Sequence, residues 1–367
     1  MPTLPLYTPN PVADAWHRVT APGGYEGWHF DAESAQGDVQ LVAVLSYGCV
    51  FHPKYLREYF RYRAWPTRVA PPVPGQYPCA YLVVYEHGNV VGQFTSQVPP
   101  GQFAASDTEP AVRVGPNELR PQPDGSLSLK MNGVPWELTW RGPEREPGWT
   151  LSADLVFRPV LRHPPHERVF LSRKLSSADH HWVIANPLCE VKGCIRLSSG
   201  AGRKTREIPF RGRGYHDHRY GTAPIGVGLR RWTWGRVLLD DDRALAFHYA
   251  EPQDPGLSNE AHLVEVSPAG VRESPVGEVQ AEWLEQSAAR LHYPRGLRFK
   301  QTEGDEVDLT NARVLDSSPF SLRLLYTASV GPRAGTALCE VAYPHRLRWP
   351  VLGRVIERFF ESPLPVR

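Results

Sequence analysis

The 367-residue chain is predicted to be all-β, built as two packed antiparallel sandwiches or barrels with few short helices. Three observations carry that expectation. The chain holds 37 prolines and 31 glycines, punctuation that suits short strands joined by turns and works against a helical bundle. Its 11 tryptophans and 15 tyrosines favour strands and apolar pocket walls. Apolar and polar residues alternate repeatedly, whereas helical periodicity is scarce.

Taken in order, Val39 to Leu45 is apolar enough for a buried strand, and Tyr81 to Tyr85 is another, closed by a turn at His87-Gly88-Asn89. The clearest hairpin signal follows. Leu127, Leu129 and Met131 alternate within Ser126–Met131, then Asn132-Gly133 precedes Val134–Trp140, where Trp136, Leu138 and Trp140 answer. Asn-Gly between alternating runs predicts a tight turn. A later hairpin runs from Trp232 through Asp241-Asp242 to Tyr249, with Leu245, Phe247 and Tyr249 in phase; further strands read at Arg290–Phe299 and Ser321–Ser329. Two segments read as helices. Lys54–Arg63 is short, aromatic and basic, and stops before Trp65-Pro66. Val351–Glu361 sets Val351, Leu352, Val355, Ile356 and Phe359 on one face, which reads as a cap over an open barrel end, with a membrane-surface contact as the alternative. Arg141–Trp149 and Pro159–His166 interrupt the pattern, so a boundary is placed near 165–185, giving domains 1–175 and 176–367.

The composition excludes several classes. Forty-one Lys and Arg against 39 Asp and Glu leave a net charge of +2, so no basic face for nucleic acid is expected. No run of 18 apolar residues suggests a membrane span, and Met1 to Trp16 lacks a secretory pattern. The five scattered cysteines, Cys49, Cys79, Cys189, Cys194 and Cys339, read as reduced, buried thiols of a cytosolic protein. No G-x-S-x-G, P-loop or G-x-G-x-x-G is present.

Ionisable residues concentrate in Gly212–Gly221. If that stretch is extended, Tyr215, Asp217 and Arg219 share one face while His216 and His218 share the other. A metal reading would take His216 and His218, joined by His248 or His180, but the third ligand is not named by the spacing, and no metal is assigned. An acid reading takes Tyr215 and Asp217, because burial in an apolar cavity favours a protonated carboxyl; Asp217 as a turn or capping residue is its structural alternative. In Asp179-His180-His181-Trp182, parity sets His180 and Trp182 together and His181 opposite. In Arg231–Arg236, Trp232, Trp234 and Arg236 share a face, either a barrel wall or a surface that stabilises a cation.

These residues resemble a known family. Gly23-Gly24-Tyr25-Glu26-Gly27-Trp28-His29-Phe30-Asp31-Ala32 is similar to the opening motif of the carotenoid 1,2-hydratase (hydroxyneurosporene synthase) family, from which it departs at Gly27 and His29. Val50–Tyr55, His180-x-Trp182, Gly214-Tyr215-x-Asp217 and Trp232-x-Trp234-x-Arg236 resemble its later motifs, in order across about residues 14 to 350. His218-Arg219, directly after the acid, departs from that family's small or amide residues. The resemblance implies a lipocalin-like fold of two β-barrel-type domains and cofactor-free hydration of a terminal isoprenoid double bond. It implies Asp217 as proton donor, with His180, Trp182 and Tyr215 as its catalytic partners, and Tyr25, Trp28, Trp232 and Trp234 as substrate-binding residues. The expected partner is a lipophilic polyene or terpenoid drawn from a membrane, so transient membrane contact is expected of a cytoplasmic protein. A pericyclase or isomerase shaping a polyene, and a non-enzymatic carrier, remain alternatives.

Overall fold

A computed structural model describes residues 8–10, 12–139, 142–145, 148–161, 165–169, 178–199, 204–274, 276–286 and 290–360. The chain opens with β1 (Thr8–Pro9), β2 (Tyr25–Ser34), β3 (Val39–Tyr47) and helix α1 (Pro53–Ala64). Next come β4 (Cys79–Glu86), β5 (Asn89–Gln97), β6 (Phe103–Ala105), β7 (Val112–Val114), β8 (Asn117–Pro121) and β9 (Leu127–Gly133). The small pair β10 (Trp136–Thr139) and β11 (Gly142–Arg145) leads to β12 (Trp149–Pro159), β13 (His166–Val169), β14 (His180–Ser199) and β15 (Thr205–Gly221). Then follow β16 (Leu229–Leu239), β17 (Ala244–Pro252), β18 (Glu260–Ser267), β19 (Gly270–Ser274) and β20 (Val276–Gln286). The last elements are β21 (Leu291–Gln301), β22 (Val307–Ser317), β23 (Ser321–Val330), β24 (Arg333–Ala342) and α2 (Pro350–Phe360).

Among the described residues these strands form two large antiparallel sheets. The first runs β5-β4-β3-β2-β15-β14-β12-β9-β8-β7-β6, with β13 and β1 attached beside β14; the second runs β19-β18-β17-β16-β24-β23-β22-β21-β20. One is a half-barrel and the other a nearly closed barrel, the all-β, lipocalin-like architecture expected. Each sheet has its own apolar filling: Trp28, Phe30, Leu82 and Phe157 in the first, Phe247, Phe299, Leu324 and Tyr326 in the second. A third cluster, with Tyr25, Trp182, Tyr215, Trp232 and Trp234, lies where strands of both sheets meet. There the fully buried Arg236 of β16 donates to Asp31 at 2.6 Å and Glu33 at 3.3 Å, both on β2, so a buried ion network joins the sheets.

Two expectations are corrected. Asn132-Gly133 is not a turn: both residues continue β9, Asn132 pairing with Ser152 and Gly133 with Leu151 of β12. A Cβ on Gly133 would sit 2.4 Å from the Phe94 ring, so this glycine serves close packing, not chain reversal. Beyond it, Trp136–Thr139 pairs with Gly142–Arg145, and Trp140 lies outside the described residues. The sheets also divide between Gly221 and Leu229, not at 175/176, because β14 and β15 hydrogen-bond into the first sheet. The later hairpin forms as expected, Leu238 pairing with Ala244 and Trp232 with Ala250.

Helix α1 starts where His52 accepts from the Lys54 amide and Pro53 fills the first turn. It packs beside α2, and Leu56 shares an apolar cluster with Ile356 and Phe360. The expected C-terminal helix forms; the side chains of Val351, Leu352, Val355 and Phe359, and Glu361 at the end of its expected span, lie outside the described residues.

Candidate active site

Strand β15 sorts its side chains by parity as the sequence requires. On the face toward the second sheet, Asp217 is fully buried. Its Oδ2 accepts from Trp182 Nε1 at 2.9 Å, the Tyr215 hydroxyl at 3.0 Å and Arg219 Nη2 at 2.7 Å. Its Oδ1 is buried and has no hydrogen-bond partner among the described residues. Strand register explains the convergence: Trp182 of β14 is cross-strand from Arg219, and His29 of β2 is cross-strand from Asp217.

The expectation that apolar burial keeps Asp217 protonated is corrected. Burial does oppose its charge, but the Arg219 cation, then His29, and the Arg219 and Trp182 hydrogen bonds hold the carboxyl below the usual range. The guanidinium itself sits in an aromatic box, 5.1 Å from the Trp232 ring and 4.4 Å from that of Trp234.

Beside this cluster a cavity of about 460 Å³ opens between the sheets, mostly apolar and lined by Tyr25, His29, Arg219, Trp232, Ile356 and Phe360 among others. Asp217 is not part of its lining; Arg219 stands between. Tyr25 on the cavity wall meets His180 Nδ1 at 3.2 Å. Burial, and secondarily His181, lowers His180 to about 4, so it is neutral near pH 7. Trp232 donates to His248 at 2.7 Å, and the Trp182 ring meets His248 edge-on at 4.1 Å, which links the walls of the two sheets.

The structure thus brings together Tyr25, His180, Trp182, Tyr215, Asp217, Trp232 and Trp234. Trp28 is not among them. It lies an odd number of positions from Tyr25 on an extended strand, so it faces the first sheet's core, donating to Asp14 O at 3.0 Å and stacking on His218 at 4.4 Å. The histidines weighed for a metal also separate: His216 bonds Asp14 at 3.0 Å and His29 O at 2.9 Å, while His180 and His248 lie on the cavity side. His29 was not singled out as a site residue by sequence reading, and His248 was weighed there only as a metal ligand. The signal for His29 was its even spacing from Tyr25; for His248 it was the phase shared with Ala246 and Ala250 opposite Trp232 and Trp234.

Known proteins share sequence and fold with this chain. The chain is 30% identical over 342 residues to hydroxyneurosporene dehydrogenase of Chlorobaculum tepidum, covering 89% of this chain and 83% of the relative. It is 26% identical over 341 residues to acyclic carotenoid 1,2-hydratase of Thiocapsa roseopersicina, covering 91% and 72%. Among solved structures, an AttH-like protein of Nitrosomonas europaea superposes with a TM-score of 0.62 at 15% identity, covering 94% of this chain and 99% of that one. Kievitone hydratase of Nectria haematococca gives 0.51 at 12%, covering 93% and 94%. At such identities these structures establish the shared fold. A profile of the carotenoid hydratase CrtC family matches residues 46–358, and the chain belongs to that family.

Proposed function

We propose that the chain adds water to a terminal, trisubstituted C=C of an acyclic carotenoid or related terpenoid held in the intersheet cavity. Membership of a hydratase family makes the protein a hydro-lyase acting on a polyene. The observation that carries the finer reading is Asp217, a fully buried carboxyl whose Oδ2 takes three donors and whose Oδ1 takes none among the described residues. Trp182 and Tyr215 fix the carboxyl through Oδ2, so a proton arriving on Oδ1 points away from those bonds and is free to be given to carbon.

In the resting arrangement Arg219 occupies the aromatic box and neutralises Asp217. Substrate entering the cavity displaces the guanidinium. Burial then dominates and Asp217 takes up a proton. The π pair of the alkene takes that proton from Oδ1, forming a C–H bond and leaving a tertiary carbocation. The vacated faces of Trp232 and Trp234 stabilise it, at about 0.5–2 kcal/mol per ring. A water positioned by the Tyr25–His180 pair forms the C–O bond, and the proton it releases returns to the Asp217 carboxylate. One water is consumed, and the acid is restored.

The test is incubation of wild type and Asp217→Asn with lycopene, neurosporene and squalene in detergent, in H₂¹⁸O with mass detection. Gain of one labelled water by wild type alone is expected. A rearranged product without label in both proteins would turn the reading to a polyene isomerase, and a co-purifying, unchanged polyene to a carrier.

A further inference from the structure

We infer that His17, Glu26 and His218 bind one divalent transition-metal cation on the rear face of β15, opposite Asp217. His17 belongs to the segment that precedes β2, Glu26 to β2 and His218 to β15. His17 Nδ1 and His218 Nε2 each lie 3.6 Å from the same oxygen, Glu26 Oε2, and the three atoms fall within 4.8 Å of one another. Metal–ligand bonds of about 2.0–2.1 Å in a tetrahedral set place neighbouring ligand atoms about 3.3–3.4 Å apart, so the two histidine–glutamate separations need only a slight contraction.

The ring nitrogens are the stronger argument. Both are buried and neither makes a hydrogen bond among the described residues. The His218 Nδ1 lies 3.3 Å from Ala13 O. A carbonyl only accepts, so a ring proton sits on Nδ1, and Nε2 turns toward the Glu26 carboxylate with either a lone pair or a second proton. Two buried ring nitrogens turned toward one buried carboxylate need positive charge among them, and a metal ion supplies it to both rings at once where a proton serves one. A carbonyl or carboxylate behind the distal ring nitrogen is also the usual support of a metal-bound histidine, and Asp14 Oδ1 stands 3.8 Å from the same Nδ1.

The carboxylate is equally well set. The amides of His17 and Val19 donate to its two oxygens, each at 2.9 Å. Stacking fixes the ring planes, His17 on Tyr220 at 3.7 Å and His218 on Trp28 at 4.4 Å. The His218 and Glu26 side chains have no exposure, while the His17 side chain keeps 22%, a route from solvent. Two imidazoles and one carboxylate suit zinc, cobalt(II), nickel(II) or iron(II) over magnesium or calcium, with water completing the shell. The ion would clamp the segment around Asp14–Val19 onto the two strands whose other faces carry Tyr25, His29, Asp217 and Arg219, coupling metal binding to the order of that segment.

The test uses the full chain, stripped by chelator and titrated with cobalt(II) alone, then with zinc(II) as competitor. Expected are one cobalt per chain, visible ligand-field absorption that zinc abolishes, and a raised Tm. His17→Gln and Glu26→Gln should each weaken cobalt at least tenfold. His181→Gln, whose ring pairs with Glu167 at 2.7 Å, should bind as wild type. So should Asp217→Asn, which keeps this inference separate from the hydration reading. Absence of absorption and of a Tm shift in wild type would overturn it, and would leave a shared proton as the buried cation. Equal binding by wild type, His17→Gln and Glu26→Gln would overturn it too.

Discussion

Asp217 and Arg219 stand two positions apart on one strand face, the carboxyl fully buried and the guanidinium reaching the cavity. Removing the carboxyl's proton-donating ability should therefore cost activity before stability. Asp217→Asn is expected to lower kcat by about 10²–10⁴, with a far-ultraviolet circular dichroism spectrum like wild type; retention of full turnover would exclude Asp217 as the acid. Arg219→Met tests the pairing through pH. In wild type the folded carboxyl titrates below its unfolded value of about 3.9, so the pair's stabilisation is present above that pH and fades as pH falls through the folded value. In Arg219→Met burial is opposed only by His29 and the Trp182 hydrogen bond, so the folded value rises and the stabilisation gained as pH climbs is reduced. The Tm gap between wild type and variant should be wide at pH 7.5 and shrink toward pH 4. A gap independent of pH would show that the two charges are not coupled. Much of this site was legible from period-two parity alone, which grouped Tyr215 with Asp217 and Arg219, and His180 with Trp182. What parity did not supply was distance: the Arg219 contact that overrides burial at Asp217 depends on side-chain reach. Trp28 was misplaced because a motif was read as a unit although its members face opposite ways.

At the scale of single elements, Gly133 shows how one residue type answers to two different physical needs. Its backbone is extended and paired on β9, and its missing side chain makes room for Phe94. Gly133→Ala should destabilise by about 1–3 kcal/mol in urea unfolding, the range expected when a methyl is forced into a packed core. No loss would mean that the Phe94 ring shifts freely. The strand Tyr81–Tyr85, its turn at His87-Gly88 and the Trp232–Tyr249 hairpin were legible because local alternation and turn residues agreed with the final pairing. The Asn132-Gly133 signal failed because long-range pairing with β12 decided the conformation. The sheet boundary was placed too early for a related reason: Arg141–Trp149 contains β11 and the start of β12, and the strands that follow return to the first sheet.

Across the whole molecule, the two sheets are joined by charge as well as by apolar contact. Arg236 has no exposure and meets Asp31, also fully buried, and Glu33, so both acids on β2 reach a cation from β16. Arg236→Met should cost about 3–5 kcal/mol, because the fully buried Asp31 loses its cation, while Glu33 keeps Arg213 at 3.3 Å. In calorimetry wild type is expected to melt in one transition and Arg236→Met in a broadened or divided one; a single, unshifted peak would show that the apolar cluster alone holds the sheets together. The pairing of β2 with β15 has a further consequence, for the order of events as the chain is made. Tyr25 faces Gly221, and Ser34 faces Gly212. At synthesis rates of about 5–20 residues per second, the free edge of β2 waits roughly 10–40 s for its partner to leave the ribosome. Through that interval the wall that will carry Tyr25 and His29 is an open strand edge, the kind that invites pairing with other chains. Nascent-chain solubility should therefore depend on chaperone supply until residue 221 has emerged, and much less afterwards.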